Sequence, residues 1–348
     1  MSVALSSLTT LRVGGPAGRY VTASTEADLV DAVRAADAAG SPLLVLGGGS
    51  NLLVADAGFD GTVVHVRTRG VRVLQQDWCG GILVQVAAGE PWDDLVADSV
   101  ERGWAGVEAL SGIPGSTGAT PLQNVGAYGQ EVAQTIARVR TFDRVSGQVR
   151  TFPSLECCFG YRTSRFKGDD RFVVLDVTFQ LLPGPLSRPV GYPELGEALG
   201  VGAGGRAPVA EVRCAVLGLR RTKGMVLEET DHDTWSAGSF FTNPVVSAAV
   251  VPDGASAWPQ PDGSVKVSAA WLIERAGFSR GFPGEGAPVR LSTKHPLALT
   301  NRGSACAEDV RALANRVRGA VAERFGIVLE PEPRLLGLDL DPTPRPAG

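Results

Sequence analysis

The chain has 348 residues, 44% of them hydrophobic and 20% charged, which suffices for a sizeable core and excludes wholesale disorder. Lysine and arginine number 33 against 37 aspartates and glutamates, with no basic block typical of a nucleic-acid or anionic-membrane partner. The 44 glycines follow no three-residue period, which excludes collagen.

The N-terminal half of the chain alternates predicted helices and strands around two glycine-rich segments. Residues 25–39 predict an amphipathic helix with Thr25 as N-cap and Gly40 as its stop. Apolar and alternating runs predict strands, and Trp92 and Leu95 mark the inner face of a second helix. The predicted strands cover residues 42–46, 62–67, 82–88, 138–143, 148–152 and 172–182, and the second helix covers 91–102.

The C-terminal half is predicted to contain three helices, a loop or linker and a short strand. Residues 183–205 hold many glycines and prolines and predict a loop or linker. Helices are predicted at 209–221, 266–276 and 307–325, and a short strand at 327–329. The proline-rich tail beyond Asp339 is expected to fray.

Cysteine usage and the N-terminus indicate the compartment. The N-terminus has neither a basic opening nor an apolar core segment, so no secretory signal is predicted. Five cysteines without a Cys-x-x-Cys pair, and three histidines without ligand spacing, favour neither disulfides nor a metal site. We expect a cytoplasmic protein, and a monomer, since no large apolar interface is evident.

Two glycine-rich segments are candidate ligand cradles. Gly47 to Asn51 can bring several backbone N–H groups onto one anion, although an ordinary tight turn has the same composition. Residues 111–130 are irregular yet contain apolar side chains, which favours a functional loop. They offer backbone donors from Gly115 to Ala119 and side-chain amides at Gln123 and Asn124. Two such cradles suit a diphosphate and the flat ring system of a large cofactor.

Four further segments carry candidate polar chemistry. Arg162, beside Tyr161, suits a carboxylate, and Ser239, between a glycine and two phenylalanines, suits proton relay. Lys223 belongs to a cationic cluster that can meet an acidic substrate, and Glu332 lies in an alternation of acid and base. Each segment alone has a structural alternative: a surface arginine, a generic turn, a solvated face and a solvated tail.

Taken together, five segments resemble one family in order and spacing. LGGGSNLLV, IPGSTGATPLQNVGAYGQE, FGYRTSRFK, SAGSFFTNP and LEPEPR are similar to the UDP-N-acetylenolpyruvoylglucosamine reductase (MurB) family from about Leu8 to Gly337. The resemblance implies an α+β fold: a two-part FAD-binding domain of the PCMH/vanillyl-alcohol-oxidase type and a C-terminal α+β substrate-binding domain. The implied sub-domains are 1–67 with 328–348 returning to it, 68–225, and 226–327.

The resemblance also implies roles for individual residues. The implied catalytic residues are Arg162, Ser239 and Glu332, and the implied substrate contacts are Tyr161, Tyr192, Lys223 and Asn243. Tyr192 places the chain with members that retain a substrate-capping loop. The implied cofactor contacts are Gly47, Gly48, Gly49, Ser50, Asn51, Leu52, Ile113, Pro114, Gly115, Ser116, Gly118, Ala119, Asn124, Gly126, Ala127, Tyr128 and Arg334.

The implied reaction belongs to peptidoglycan precursor synthesis. NADPH reduces non-covalent FAD, and flavin N5 then delivers hydride to the enolpyruvyl β-carbon of UDP-N-acetylglucosamine enolpyruvate. Ser239 gives the proton to the α-carbon, Arg162 stabilises the enolate-like intermediate, and Glu332 polarises the carboxylate. The product is UDP-N-acetylmuramate.

Two alternatives remain open on the sequence. One is an oxidase of the same flavin fold, although GGGSNLL lacks a histidine for covalent flavin attachment. The other is a catalytically silent sugar-nucleotide-binding protein, which the joint presence of Arg162, Ser239 and Glu332 disfavours.

Overall fold

A computed structural model describes residues 3–77 and 79–343, and within it the chain divides into two compact units. Unit 1 contains the residues up to Ala17, Gly49–Phe59, and those from Leu227 onward. Unit 2 contains Gly18–Gly48 and Asp60–Val226. Unit 1 is therefore assembled from separated pieces of sequence. The predicted sub-domain boundaries at residues 67, 225 and 327 remain a prediction.

Five of the six helices in the described residues lie close to where the sequence predicts a helix, and α3 lies where a loop or linker is predicted. They are α1 Glu26–Ala38, α2 Trp92–Glu101, α3 Pro193–Leu199, α4 Val209–Thr222, α5 Ala269–Arg275 and α6 Ala307–Phe325. The Thr25 side chain accepts from the backbone N–H of Asp28, whose carboxylate accepts in return from the N–H of Thr25. This capping box confirms the predicted start of α1.

The strands are short except in the middle of the chain. They are β1 Ala17–Ala23, β2 Leu43–Leu46, β3 Leu52–Val54, β4 Phe59–Val66, β5 Val71–Asp77, β6 Gly81–Ala87, β7 Trp104–Ala105, β8 Gly126–Ala127, β9 Gln130–Glu131, β10 Ile136–Asp143, β11 Gln148–Pro153, β12 Phe172–Pro183, β13 Val245–Ser247, β14 Ala257–Pro259, β15 Ser264–Val267, β16 Val289–Leu291, β17 Leu299–Asn301 and β18 Arg334–Leu336. The six strands predicted between residues 42 and 182 are all present.

Unit 2 is built around two sheets. One has the strand order β1-β4-β2, and β2 runs parallel to β4 with Leu46 opposite His65. The other is antiparallel with the order β11-β10-β12-β6-β5, and β7 pairs with the end of β12. Trp92, Phe142, Phe152 and Phe179 are at most 1% exposed in the core that these sheets share with α1 and α2. Burial of such large side chains contributes about 1.5–3 kcal/mol each.

Unit 1 has a separate core beneath α5 and α6. The inner stripe of α6, including Val310, Val317 and Val321, packs with Phe240, Phe241 and other apolar side chains. The last strand, β18, runs parallel to β3 and pairs Arg334 with Leu52 and Leu336 with Val54. This pairing brings residues near position 334 beside the second half of the first glycine-rich segment.

Three sequence predictions are wrong in detail. The predicted linker at 183–205 contains α3, which begins with Pro193 at its first turn and ends at the left-handed Gly200. The helix predicted from residue 266 begins at Ala269, because Ser268 is its N-cap and 264–267 form β15 between β13 and β14. Residues 327–329 form no strand: they are apolar because Ile327 and Leu329 are buried, and the Leu329 carbonyl accepts from Arg318 Nε at 2.9 Å.

The proline-rich tail is held by α6 where the structure describes it. Arg311 Nη1 donates to the Asp341 carboxylate at 2.6 Å, and Arg318 Nη1 donates to the Asp341 carbonyl at 2.6 Å. The predicted fraying is therefore wrong at Asp341, and its extension to 344–348 lies outside the described residues. No helix in the described residues is long and apolar enough to span a membrane.

Candidate active site

The two glycine-rich segments meet within unit 2. A Cβ placed on Gly48 would lie 2.6 Å from the Gly115 Cα atom, and one on Gly47 would lie 2.2 Å from the Ser116 hydroxyl. Real Cβ atoms essentially never approach other atoms below 3.0 Å, so the two backbones touch only because these residues are glycine. The two segments, which the sequence selects independently, thus contact each other at Gly47 and Gly48.

The start of α2 fixes the second segment in place. The Trp92 N–H donates to the Gly115 carbonyl at 3.0 Å, and the Trp92 indole N–H donates to the Leu110 carbonyl at 3.0 Å. A Cβ on Gly118 would lie 2.5 Å from that of Ala88, so this loop is also pressed against the end of β6. Ile113 packs against the same core, and Pro114 leads directly into Gly115.

Three of the backbone N–H donors predicted from residues 115–119 are hydrogen-bonded to carbonyl groups of the protein itself. The N–H groups of Thr117, Gly118 and Ala119 donate to the carbonyls of Glu90, Ala88 and Ser116 at 2.8, 2.8 and 3.0 Å. The prediction that these three N–H groups face an anion is therefore wrong, since the loop uses them to fold on itself. A cofactor contact of Gly118 or Ala119 through other atoms remains a prediction.

A buried hydroxyl without a hydrogen-bond partner is evidence that a ligand lies beside these segments. The buried Thr117 Oγ1 has no hydrogen-bond partner among the described residues. A buried hydroxyl without a partner costs free energy, about 1–3 kcal/mol, unless a ligand or water satisfies it. Together with the touching glycine backbones, this hydroxyl fits a cofactor that lies close to the main chain.

Arg162 occupies a tight turn that leads its guanidinium back to β8. Gly160 and Thr163 close the turn through reciprocal backbone hydrogen bonds of 3.0 and 3.3 Å. Arg162 Nη2 donates to the Gly126 carbonyl at 2.8 Å, and the guanidinium lies 5.5 Å from the Tyr161 ring centroid. The structure thus places Arg162, which is predicted to bind a carboxylate, beside the predicted cofactor contacts Gly126 and Ala127.

Several residues other than glycine near Arg162 and Gly126 have a left-handed backbone conformation. Asn124, Tyr128, Cys158 and Arg162 have φ values of 48°, 49°, 50° and 51°. This conformation is uncommon for residues other than glycine, and such residues cluster at functional sites because surrounding contacts must enforce them.

Tyr128, Tyr192 and Lys223 form one aromatic and cationic group in unit 2. The rings of Tyr128 and Tyr192 meet edge to face with centroids 5.4 Å apart, and Lys223 Nζ lies 5.6 Å from the Tyr128 centroid. Lys223 also pairs with the Glu194 carboxylate at 2.5 Å. Tyr192 and Lys223, both predicted substrate contacts, are therefore close together although 31 positions apart in sequence.

Burial shifts two titratable groups in this cluster. It raises the pKa of Tyr128 to about 12, and the Arg220 guanidinium opposes part of that rise. It lowers the pKa of Arg220 to about 10, so this side chain is still charged at neutral pH. The sequence predicts Arg220 only as a member of the cationic cluster with Lys223 and does not reveal that this side chain is buried.

Ser239 and Glu332 are brought together within unit 1. Phe241 and Pro331 form an antiparallel bridge, and the Glu332 N–H donates to the Phe240 carbonyl at 2.8 Å. Ser239 is half-buried and follows Gly238, whose φ of 74° suits glycine. The bridge therefore joins the segment that contains Ser239 to the segment that contains Glu332, although 93 positions separate the two residues.

The remaining first-segment residues belong to unit 1, where Asn51 is hydrogen-bonded to Glu332 and Arg334. The Asn51 side chain donates to the Glu332 carbonyl at 3.2 Å, and the Arg334 N–H donates to the Asn51 carbonyl at 3.0 Å. Gly49 has a φ of 62°, and a Cβ placed on it would lie 1.9 Å from the Leu8 carbonyl oxygen. Ser50 follows it in sequence. Asn51, Leu52 and Arg334 thus belong with Glu332, whereas Gly47 and Gly48 belong to unit 2.

Asn243 has a structural partner. Its Oδ1 accepts from the N–H of Ala269, the first residue of α5, at 2.9 Å. This bond orients the side chain, and its predicted substrate contact remains a prediction. The sequence gives no sign of the bond, because the two residues are 26 positions apart.

Comparison with known proteins covers both units. Residues 17–152 match the model of an FAD-binding domain, and residues 229–336 match the model of the UDP-N-acetylenolpyruvoylglucosamine reductase C-terminal domain. A solved structure of UDP-N-acetylenolpyruvylglucosamine reductase (MurB) from Thermus caldophilus superposes with a TM-score of 0.66 at 27% identity, over 97% of this chain and 98% of that one. These findings confirm the predicted α+β fold with an FAD-binding domain and a distinct C-terminal domain.

Relatives named UDP-N-acetylenolpyruvoylglucosamine reductase match nearly the whole chain. One from Cutibacterium acnes is 58% identical over 337 residues, covering 96% of this chain and 89% of the relative. Another from Salinispora arenicola is 54% identical, covering 97% and 95%. The chain therefore belongs to the UDP-N-acetylenolpyruvoylglucosamine reductase family.

Proposed function

We propose that the chain is an FAD-containing, NADPH-dependent oxidoreductase that converts UDP-N-acetylglucosamine enolpyruvate to UDP-N-acetylmuramate in peptidoglycan synthesis. One observation carries the proposal: relatives named for this reductase share more than half of their residues with the chain along almost its full length. The meeting of the two glycine-rich segments supports FAD as the cofactor. FAD when bound supplies the hydride chemistry, taking hydride from NADPH and giving it to the enolpyruvyl β-carbon.

Arg162 holds the substrate carboxylate in this proposal. A guanidinium presents two parallel N–H donors to a carboxylate and keeps its charge at every physiological pH. Its Nη2 donates to the Gly126 carbonyl, which fixes the plane of the fork. As negative charge moves onto the carboxylate of the reacting group, the positioned cation stabilises it without reorganising.

Ser239 and Glu332 complete the proposed chemistry from two bridged segments of unit 1. Ser239 donates its hydroxyl proton to the α-carbon, and Glu332 polarises the carboxylate as a hydrogen-bonded neighbour. A serine is a weak acid in water, but protonation of a strongly basic enolate-like carbon is feasible, and positioned acid catalysis contributes roughly 10²–10⁴-fold. The backbone bond between Glu332 and Phe240 supports a fixed spacing of the two groups.

Lys223 and Tyr192 bind the sugar nucleotide in this proposal. Lys223 already pairs with Glu194, but both side chains are partly exposed, so the pair contributes only about 0–1 kcal/mol. A diphosphate can replace that partner at little cost. Tyr192 stands at the start of α3 with 40% of its surface exposed, where a ligand can cover it.

Anaerobic spectroscopy of the purified protein tests the proposal. NADPH should bleach the flavin absorption bands, and UDP-N-acetylglucosamine enolpyruvate should restore them. Protein denatured in acid should release free FAD, since the predicted attachment is non-covalent. Restoration by oxygen but not by the nucleotide would favour an oxidase, and nucleotide binding without any flavin reduction would favour a silent binding protein.

A further inference from the structure

We propose that Asn124 is a positioning residue that sets the orientation of Arg162 and does not bind the cofactor through its side chain. The inference rests on the proposed function, because it assigns the role of Asn124 to the step in which Arg162 binds the substrate carboxylate. It corrects the prediction that the Asn124 side-chain amide donates to the cofactor, because that amide is hydrogen-bonded to Glu131 and Gly160.

Every polar atom of the Asn124 side chain has a protein partner. Nδ2 donates one hydrogen to Glu131 Oε2 at 2.7 Å and the other to the Gly160 carbonyl at 3.0 Å. Oδ1 accepts from the Ala133 N–H at 3.1 Å, which fixes the assignment of oxygen and nitrogen. The residue is only 1% exposed, so its amide forms hydrogen bonds within the protein interior and not with solvent.

These partners connect the two segments that define the Arg162 environment. Gly160 opens the turn that carries Arg162 and exchanges backbone hydrogen bonds with Thr163. Glu131 pairs with Gly126 in the β8–β9 ladder, and the Gly126 carbonyl accepts from Arg162 Nη2. Asn124 thus connects the backbone of the turn to Glu131 in β9, the strand paired with β8, whose Gly126 carbonyl accepts from Arg162. These contacts form a closed ring that includes the guanidinium.

The backbone of Asn124 explains why an asparagine suits this place. Its φ of 48° is left-handed, a conformation that asparagine tolerates better than most residues. Asparagine therefore supplies both the backbone conformation and two donors directed at separate segments. Asparagine and aspartate can each bend the chain here, but only the amide can donate to both Glu131 and Gly160.

Asn124→Gly tests the role, because glycine keeps the left-handed backbone and removes only the amide. We expect FAD affinity and the rate of flavin reduction by NADPH to stay within about threefold of the unaltered protein. Flavin reoxidation by UDP-N-acetylglucosamine enolpyruvate should slow by roughly 10²-fold, the effect of a misplacement of about 1 Å at a reacting centre. Thr120→Val is the matched control: it removes a buried bond of 2.8 Å in the same loop, from Thr120 to the Thr117 carbonyl, and should leave reoxidation unchanged.

A double-mutant cycle separates positioning from general loss of structure. In an Arg162→Lys background, Asn124→Gly should slow reoxidation by less than about threefold, because its effect passes through the guanidinium. If Asn124→Gly does not fold, Asn124→Asp combined with Glu131→Gln serves instead. That pair restores a bond between positions 124 and 131 but has no donor for the Gly160 carbonyl, so it should show the same slow reoxidation.

Three results would overturn the inference while leaving the proposed function intact. They are normal reoxidation in the Asn124 variants, an equal loss in both half-reactions or of FAD affinity, and a full additional loss in the Arg162→Lys background. If the unaltered protein itself is not reoxidised by the nucleotide, the proposed function fails and the inference fails with it.

Discussion

Gly48→Ala should weaken FAD binding by forcing the two glycine-rich segments apart. The added methyl group would lie 2.6 Å from the Gly115 Cα atom and 2.9 Å from the Gly115 carbonyl carbon. Ordinary contacts begin at 3.4 Å, and both atoms belong to backbone, so no side chain can rotate out of the way. The φ of Gly48 is not in the left-handed region, so the expected effect comes from contact and not from backbone strain.

The size of the effect follows from that overlap. The segments must separate by about 0.8 Å to restore ordinary contact, and overpacking of this kind costs about 1–3 kcal/mol. If the cost falls on the holo form, the Kd for FAD rises by roughly 5- to 150-fold, at about 1.4 kcal/mol for each factor of ten. Fluorescence titration of the apoprotein with FAD measures this Kd directly.

Gly202→Ala provides the control for this experiment. It makes the same chemical change in unit 2, but nothing lies within 4 Å of the added methyl group. Its Kd for FAD should match that of the unaltered protein. Equal Kd values for Gly48→Ala and Gly202→Ala would refute the argument that contact between the two segments shapes the cofactor site.

Four more predictions concern catalysis, pH and stability. Ser239→Ala should abolish flavin reoxidation by the nucleotide while NADPH still reduces the flavin, and equal loss in both half-reactions would show that Ser239 positions the flavin instead. Arg162→Lys should slow the same step severely, because a point charge cannot replace a planar fork, and near-normal turnover would exclude the carboxylate role. Between pH 10 and about 12 the Tyr128 phenol is ionised in the unfolded chain but still protonated in the folded one, so the free energy of unfolding should fall as pH rises. Tyr128→Phe should remove this contribution to the pH dependence of the unfolding free energy, measured by denaturant titration at several pH values. Gly218→Ala lies in α4 with open space around the methyl group, and it should raise the unfolding free energy by about 0.5–1 kcal/mol; no increase would mean that the helix gains nothing there.

The elements that the sequence predicts well are those whose own residues determine them. α1 and α6 have a clear apolar stripe and a definite end at glycine, and β12 has a long apolar run. The strand expected at 327–329 fails because apolar residues can be buried without pairing, as Ile327 and Leu329 are. A local run of apolar residues indicates that a segment is buried, but a strand forms only where a second segment is available to pair with its backbone.

The candidate site shows the same division. The glycines at 47–48 and 115 are evident from composition, but their contact is a property of the folded chain. The predicted N–H donors of Thr117 and Gly118 fail because the loop satisfies them internally, which composition does not reveal. The link from Asn124 to Gly160 spans 36 positions and has no sequence signal at all.

The pairing of β18 with β3 has a consequence for biosynthesis. Arg334 pairs with Leu52, so the ribosome must add more than 280 residues before these partners can meet. Most of unit 2 emerges earlier and has its own core, whereas unit 1 must wait for its C-terminal piece. A chain released before Arg334 lacks Arg334 as well as the strand that covers β3, and unpaired strand edges promote aggregation. Truncated products of this protein are therefore expected to be inactive and prone to aggregate, even when most of unit 2 has folded.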